Sequence, residues 1–148
     1  MEEIVLSFGS NLGNKKENIL KAYGLLQARL GKQIKTSDII QTEPWGFTSE
    51  ELFANSVAVF QTEYSAEECL KIINQIEKEL GRIRNMSAGY ENRVIDIDIL
   101  FYGDMIINTP DLTVPHPLLH LRQFVMIPLK QIIPEWVHPV IKKKIKDI

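Results

Sequence analysis

One pentapeptide alternates strictly between isoleucine and aspartate, and it constrains the fold more than any other part of the chain. Ile95, Ile97 and Ile99 are separated by Asp96 and Asp98. Successive side chains of a β-strand point to opposite faces of the sheet, so the pattern predicts a strand with an apolar face and an acidic face. The two carboxylates then lie about 6 to 7 Å apart along the strand. We therefore expect a sheet whose isoleucine side packs against a core.

Capping patterns and periodicity predict two helices set between four strands. Asn14 and Ser65 are each followed by a glutamate three residues later, which is typical of a helix N-terminus. Gly31 and Gly81 are placed to end these helices in the left-handed conformation. We expect the second and third strands to pair antiparallel. The predicted strands lie at 4–8, 33–41, 52–62 and 95–102.

The resulting order, β-α-β-β-α-β, predicts an α+β fold of the ferredoxin-like kind, an antiparallel sheet with helices packed on it. The polar stretch at 82–93 is predicted to be a loop. A short strand near 105–107, a proline-rich link and a helix at about 118–133 predict a C-terminal strand and helix appendage. With 148 residues, the chain 1–148 is expected to form a single domain.

Composition and charge exclude several classes of protein. Seventeen basic and nineteen acidic side chains give a net charge of -2, so no nucleic acid partner is expected. No apolar run is long enough for a signal sequence or a membrane span, and no membrane partner is expected. A single cysteine, Cys69, cannot form an intramolecular disulfide, which favours a reducing compartment and predicts a cytoplasmic location.

Arginine is concentrated around the aspartate pair. The chain has five arginines and twelve lysines, and four of the five arginines fall within 41 residues. Carboxylate oxygens are suitable ligands for Mg²⁺, and the guanidinium group binds phosphate oxygens in a bidentate manner. A metal–polyphosphate site is one interpretation; a helix-dipole role for some arginines and charge neutralisation by others is the alternative. The four arginines are Arg82, Arg84, Arg93 and Arg122.

Other polar and aromatic positions leave alternatives open. Glu77 interrupts an apolar helical arc and either forms an ion pair or contacts a nucleotide. His116 and His120 lack the pattern of a zinc site, and His116 either reaches a phosphate or lies in a surface turn. Phe53 and Phe124 either pack in the core or form the wall of a pocket for a flat ligand, and Asn55 has an amide with two donors and an acceptor.

Taken together, these segments resemble the 6-hydroxymethyl-7,8-dihydropterin pyrophosphokinase family over nearly the whole chain. They occur in the order typical of that family. The matching segments are Gly9-Ser10-Asn11-Leu12, Thr42 to Gly46, Phe53 and Asn55, Gly81 to Arg84, Arg93 with Ile95 to Leu100, Leu112 to His116, Arg122 and Phe124.

The resemblance implies an enzyme that transfers pyrophosphate from ATP to the hydroxymethyl group of the pterin in folate biosynthesis, with release of AMP. It implies two Mg²⁺ ions held by Asp96 and Asp98, with Arg82 and Arg93 as further catalytic residues. ATP and the pterin are the expected small-molecule partners, and a monomer is expected. The residues implied for ATP are Glu77, Arg82, Arg84, Arg93, Ile99, Leu112, Thr113, His116 and Arg122. Those implied for the pterin are Thr42, Glu43, Trp45, Phe53, Asn55 and Phe124.

Two other classes of function agree less well with these residues. A small-ligand regulatory module is compatible with a β-α-β-β-α-β sheet, but such a module does not need paired metal carboxylates. An RNA-binding sheet requires a net positive surface and base-stacking aromatic residues on its central strands, which the charge of -2 argues against.

Overall fold

The computed structural model describes residues 1–42, 52–81 and 94–148. Its strands are β1 (Glu2–Ser10), β2 (Gly31–Thr36), β3 (Ile40–Thr42), β4 (Phe53–Thr62), β5 (Asp96–Tyr102), β6 (Ile107–Asn108) and β7 (Thr113–Val114). Its α-helices are α1 (Lys15–Arg29), α2 (Ala66–Glu79) and α3 (Gln123–Ile132), and 3₁₀ turns cover Leu119–Leu121 and Ile145–Asp147.

The main sheet has the order β2-β4-β1-β5, and β3 pairs with β4 beside β2. All the strand pairings in the described residues are antiparallel. β6 and β7 form a separate two-stranded sheet. The predicted mixed fold with an antiparallel sheet, and the antiparallel pairing of its second and third strands, are confirmed.

Each face of this sheet is covered by a different set of elements. One cluster of buried residues joins the sheet to α1 and α2 and includes Phe8, Ile19 and Ile73. The other cluster joins the sheet to α3 and the C-terminal segment and includes Val57, Leu129 and Ile145. Strand residues alternate between the clusters because successive side chains point to opposite faces.

Helices α1 and α2 begin where their capping residues predict. The side chain of Asn14 accepts a hydrogen bond from the N–H of Glu17, and Ser65 and Glu68 form a complete capping box. Gly81 adopts a positive φ of 99° after α2, as predicted. The prediction for Gly31 was wrong, because Gly31 is not among the residues with positive φ and is the first residue of β2.

Several boundaries differ from those predicted. The first strand covers Glu2–Ser10 rather than 4–8. The strand expected at 33–41 is divided into β2 and β3, because the hydroxyl of Ser37 accepts the N–H of Val57 and replaces a ladder bond. The C-terminal helix begins at Gln123 rather than near Leu118, since a 3₁₀ turn and Arg122 precede it. The short strand near 105–107 lies slightly later, at Ile107–Asn108.

The expectations about the cysteine and about a membrane span concern Cys69 and the helices. Burial raises the pKa of the Cys69 thiol to about 11, so the thiol is protonated at neutral pH. Among the residues the structure describes, none of the helices has the length and apolar character needed to cross a bilayer.

Candidate active site

The acidic face predicted for β5 is confirmed. Ile97 and Ile99 are each 5% exposed in the cluster beneath α1 and α2, whereas Asp96 and Asp98 are half-buried between them. The alternation places both carboxylates on the opposite face, toward the side of the sheet that carries α3. In the ladder with β1, Asp96 lies opposite Gly9 and Asp98 lies opposite Ser7.

Gly9 links the acidic strand to the strand that carries the candidate pterin residues. It pairs with Asp96 of β5 on one side and with Asn55 of β4 on the other. Asn55 and Asp96 are therefore two strand spacings apart, about 10 Å between backbones. A Cβ atom on Gly9 would lie 3.2 Å from Oδ1 of Asn55 and 3.7 Å from the ring of Phe53. Because Gly9 has no side chain, it leaves space on the face of the sheet between Asn55 and Asp96.

The amide of Asn55 is buried and fixed in orientation. Its side chain is 5% exposed, and its Nδ2 donates a hydrogen bond to Oγ1 of Thr42 at the end of β3. Phe53, two residues earlier on β4, shares this face and is half-buried. The structure therefore brings together Thr42, Phe53 and Asn55, three of the residues implied for the pterin.

Helix α3 delivers an aromatic and a basic side chain to the same side of the sheet. Phe124 packs against the cluster that contains Val57, and Arg122 is the N-cap residue of the helix. The guanidinium carbon of Arg122 lies 5.6 Å from the centre of the Phe124 ring, and the Arg122 side chain is 7% exposed. A cation–π contact of this kind keeps a buried guanidinium in a defined position.

His116 is held as a neutral imidazole near the acidic face. Its backbone N–H donates to the carbonyl of Leu100 in β5, and its Nδ1 accepts the N–H of Leu118. Burial and the neighbouring Arg122 lower the pKa of His116 to about 4, although the carboxylate of Asp96 acts in the opposite direction. Because Nδ1 is an acceptor, the proton of the neutral ring lies on Nε2, which is available as a hydrogen-bond donor.

Three of the residues implied for ATP, Glu77, Ile99 and Leu112, lie on the other side of β5. Ile99 and Leu112 belong to the cluster beneath α1 and α2, and Thr113 is exposed in β7. Glu77 of α2 is 2% exposed, and its Oε2 accepts the N–H of Ile97 at 3.0 Å. This contact with the acidic strand was included in neither alternative considered for Glu77. The candidate residues are thus divided between the two sides of an edge strand.

Several expected residues lie outside the described part of the chain. They are Glu43, Trp45, Arg82, Arg84 and Arg93, together with the loop predicted at 82–93.

The donor set on β5 fits Mg²⁺ rather than a softer metal. Within residues 1–42, 52–81 and 94–148, no group of three or more His, Cys, Asp or Glu side chains is arranged to hold a metal ion. Mg²⁺ is commonly bound by one or two carboxylates, with water and substrate phosphates as the other ligands. Asp96 and Asp98, half-buried on one strand face, provide such a pair.

Sequence reasoning missed the role of Gly9 and of Asn18. The segment Gly9-Ser10-Asn11-Leu12 was noted only for its resemblance to the family, and Gly9 lies within β1. A glycine inside a strand pattern indicates a close approach of other groups, and this was the available indication. Asn18 has no such indication, because its side chain donates to the backbone carbonyls of Leu12 and Val94, and a backbone carbonyl is the same in every residue.

The chain is an α+β protein. It has an antiparallel sheet, two helices on one face of that sheet and an acidic strand at its edge. Residues 5–134 match the family described as 7,8-dihydro-6-hydroxymethylpterin-pyrophosphokinase, HPPK. The chain is 40% identical over 141 residues to the 2-amino-4-hydroxy-6-hydroxymethyldihydropteridine pyrophosphokinase of Porphyromonas gingivalis, covering 94% of this chain and 95% of that protein. It is 39% identical over 147 residues to the Aquifex aeolicus protein of the same name, covering 99% and 90%.

Solved structures agree in fold. A crystal structure of an HPPK-DHPS protein in complex with substrates matches with a TM-score of 0.78 at 20% identity, over 99% of this chain and 42% of that one. Wild-type Plasmodium falciparum HPPK-DHPS with pteroate matches with a TM-score of 0.80 at 19% identity, over 99% and 41%. This chain therefore spans less than half the length of those proteins. From the family match and the curated relatives, the chain belongs to the 7,8-dihydro-6-hydroxymethylpterin-pyrophosphokinase family.

Proposed function

We propose that this pyrophosphokinase of folate biosynthesis binds MgATP and 6-hydroxymethyl-7,8-dihydropterin in one cleft on its sheet and transfers pyrophosphate from ATP to the pterin beside Asp96 and Asp98. The observation that carries the proposal is the row formed by Asn55, Gly9 and Asp96 across three adjacent strands. It places an amide that can read a pterin edge and a carboxylate that can hold a metal on one face.

The pterin is assigned to the side of this row formed by β3, β4 and α3. Phe53 and Phe124 present aromatic rings to the same face, and stacking between such rings suits a flat heterocycle. Asn55, fixed by Thr42, supplies directional hydrogen bonds to the ring edge. Glu43 and Trp45 complete this set in the proposal.

ATP is assigned to the edge of β5, with its base and ribose near Ile99, Leu112, Thr113 and Glu77. Its phosphates would then extend around the edge toward the face that carries the aspartates. Arg122 and the Nε2–H of His116 are the cationic and neutral donors there. Arg82, Arg84 and Arg93 are proposed as further phosphate contacts.

The reaction forms a bond between the hydroxymethyl oxygen and the β-phosphorus of ATP and breaks the bond from that phosphorus to the oxygen of the α-phosphate, which leaves with AMP. The hydroxyl proton passes from the attacking oxygen to water. Two Mg²⁺ ions at Asp96 and Asp98 would supply charge neutralisation at the phosphates and lower the pKa of the hydroxyl. The residues of the chain orient the two substrates, which is the main requirement in phosphoryl transfer.

Further proposals concern the fold class, the oligomeric state and the cellular location of the protein. The core is assigned to the ferredoxin-like class, because α1 connects β1 to β2, α2 connects β4 to β5, and the sheet order is β2-β4-β1-β5. Residues 107–148, with β6, β7 and α3, form the appendage in this description. Residues 1–148 are proposed to act as a single monomeric unit in the cytoplasm.

The decisive experiment measures AMP formation from ATP by the purified chain. We expect AMP and the diphosphorylated pterin to form in equal amounts, and only when both the pterin and Mg²⁺ are present. Release of ADP instead of AMP, or AMP release that does not depend on the pterin, would refute the proposed reaction. EDTA is expected to stop the reaction, and excess Mg²⁺ to restore it.

A methyl group at Gly9 is expected to obstruct pterin binding. The Cβ atom of Gly9→Ala would lie 3.2 Å from Oδ1 of Asn55, a tight contact that displaces the amide. We expect KM for the pterin to rise about tenfold, equivalent to ~1.4 kcal/mol, with KM for ATP little changed. Steady-state kinetics at saturating MgATP measure the effect.

The matched control for this variant is Gly24→Ala. Nothing lies within 4 Å of a Cβ atom at Gly24, which is inside helix α1. Alanine there is expected to raise stability by about 1 kcal/mol through helix propensity and to leave both KM values unchanged. Equal pterin KM values for Gly9→Ala and the wild type would contradict the assignment of the pterin to this surface.

A further inference from the structure

The side-chain amide of Asn18 lies where the turn after β1 meets the chain that enters β5. Its Nδ2 is 2.9 Å from the carbonyl oxygen of Leu12 and 3.3 Å from that of Val94. It is also 3.2 Å from Oγ of Ser10, the last residue of β1. One side chain from the second turn of α1 therefore contacts two segments that are more than 80 positions apart in the sequence.

The contact with Val94 extends beyond the sheet. The ladder between β1 and β5 ends at the pair formed by Gly9 and Asp96, so Val94 lies two residues outside it. The amide of Asn18 therefore supports the chain at the point where it approaches Asp96. On the other strand, its contacts with Ser10 and Leu12 support the turn that directly follows Gly9.

The acceptors determine which way the amide faces. Leu12 and Val94 both present carbonyl oxygens, which accept hydrogen bonds and cannot donate them. If the amide were rotated by half a turn, its own oxygen would face these two carbonyls and repel them. Asn18 thus acts as a donor toward both, and neither aspartate nor leucine can replace it in that role.

We infer that Asn18 is a positioning residue that holds the start of β5 against the turn after β1 and so sets the position of Asp96 relative to Gly9. The inference rests on the proposed function for its kinetic consequence but not for its structural one. Loss of the amide donor lets the entry to β5 move, while the sheet and its core remain intact.

The test compares Asn18→Leu, which has a similar shape without donors, with Asn18→Asp, which keeps the size and replaces the donor by an acceptor. Hydrogen exchange of the purified protein is expected to become about tenfold faster at Val94 to Ile97 in both variants. In assays of AMP formation, the Mg²⁺ concentration for half-maximal rate is expected to rise about tenfold, in the range found for residues that orient metal ligands. KM for ATP at saturating Mg²⁺ is expected to change little.

The control is Asn14→Ala, the same residue type about one turn earlier, at the N-cap of α1. Asn14 caps the helix through Glu17, so its loss lowers Tm without touching Val94. Exchange at Val94 to Ile97 and the Mg²⁺ dependence should stay at wild-type values in this control. Unchanged exchange in both Asn18 variants, or the same change in Asn14→Ala, would overturn the inference. Failure of the wild type to form AMP would overturn the proposed function instead and leave the exchange comparison valid.

Discussion

Replacement of Asp96 or Asp98 by asparagine is expected to reduce AMP formation by about three orders of magnitude or more. Each substitution removes a negative charge and an oxygen ligand from the strand face while keeping the shape of the side chain. A factor of 10³ corresponds to about 4 kcal/mol, which is within the several kcal/mol that a metal ion contributes to the stabilisation of a phosphoryl transition state. The measurement is AMP release at saturating ATP and pterin over a range of Mg²⁺ concentrations.

The matched control is Asp104→Asn. Asp104 is exposed in the turn that follows β5. It carries the same carboxylate as Asp96 and Asp98 but does not lie on their strand face. Its replacement is expected to leave turnover unchanged. Because the aspartate pair is half-buried at the edge of the sheet, Tm should move by only a few degrees in any of the three variants. Near wild-type turnover in Asp96→Asn or Asp98→Asn would contradict the metal-binding role.

Gly31→Ala is expected to destabilise the fold by about 3 kcal/mol, at the upper end of the usual cost of overpacking. A Cβ atom at Gly31 would lie 1.7 Å from the carbonyl oxygen of Gln61 and 2.8 Å from its carbonyl carbon. Both atoms belong to the backbone of β4, the strand paired with β2, so no side chain can rotate away. Relief requires that α1 and β2 separate from β4.

Urea denaturation measures the change in the free energy of unfolding, and for a chain of this length the fall in Tm should be about 10 °C. Gly24→Ala serves again as the control, because it adds the same methyl group where nothing lies within 4 Å. Activity of the folded fraction should be retained in both variants. A stability of Gly31→Ala equal to that of the wild type would show that the α1–β2 junction can relax more than the contact distances indicate.

Local patterns in the sequence were sufficient for the elements that are stabilised locally. The helix-capping residues Asn14 and Ser65 and the alternation from Ile95 to Ile99 depend on neighbours in sequence. The structure bears out each of them, and of the two caps Ser65 forms the complete capping box. Gly31 was misinterpreted because two different constraints favour glycine after a helix. One is a left-handed backbone, and the other is a close approach by a strand that is distant in sequence, which no local pattern reveals.

The same distinction applies to the candidate site. The aspartate pair was predictable because two residues of one strand define it. The row from Asn55 through Gly9 to Asp96 was not, since it depends on the register of three strands. The contacts of Glu77 with Ile97 and of Asn18 with Val94 likewise join separate elements through backbone atoms. Because backbone atoms are the same in every residue, the sequence does not reveal such contacts.

The shared neighbour of Asn55 and Asp96 has one more consequence. Since both flank Gly9 in the ladder, the distance between the amide proposed to bind the pterin edge and the carboxylate proposed to hold the metal is set by hydrogen bonds between strands. In the proposed arrangement, the spacing of the strands therefore determines how far the acceptor hydroxyl must lie from the pterin ring. A substrate analogue with a longer chain between the pterin ring and the hydroxyl would therefore place its oxygen away from Asp96.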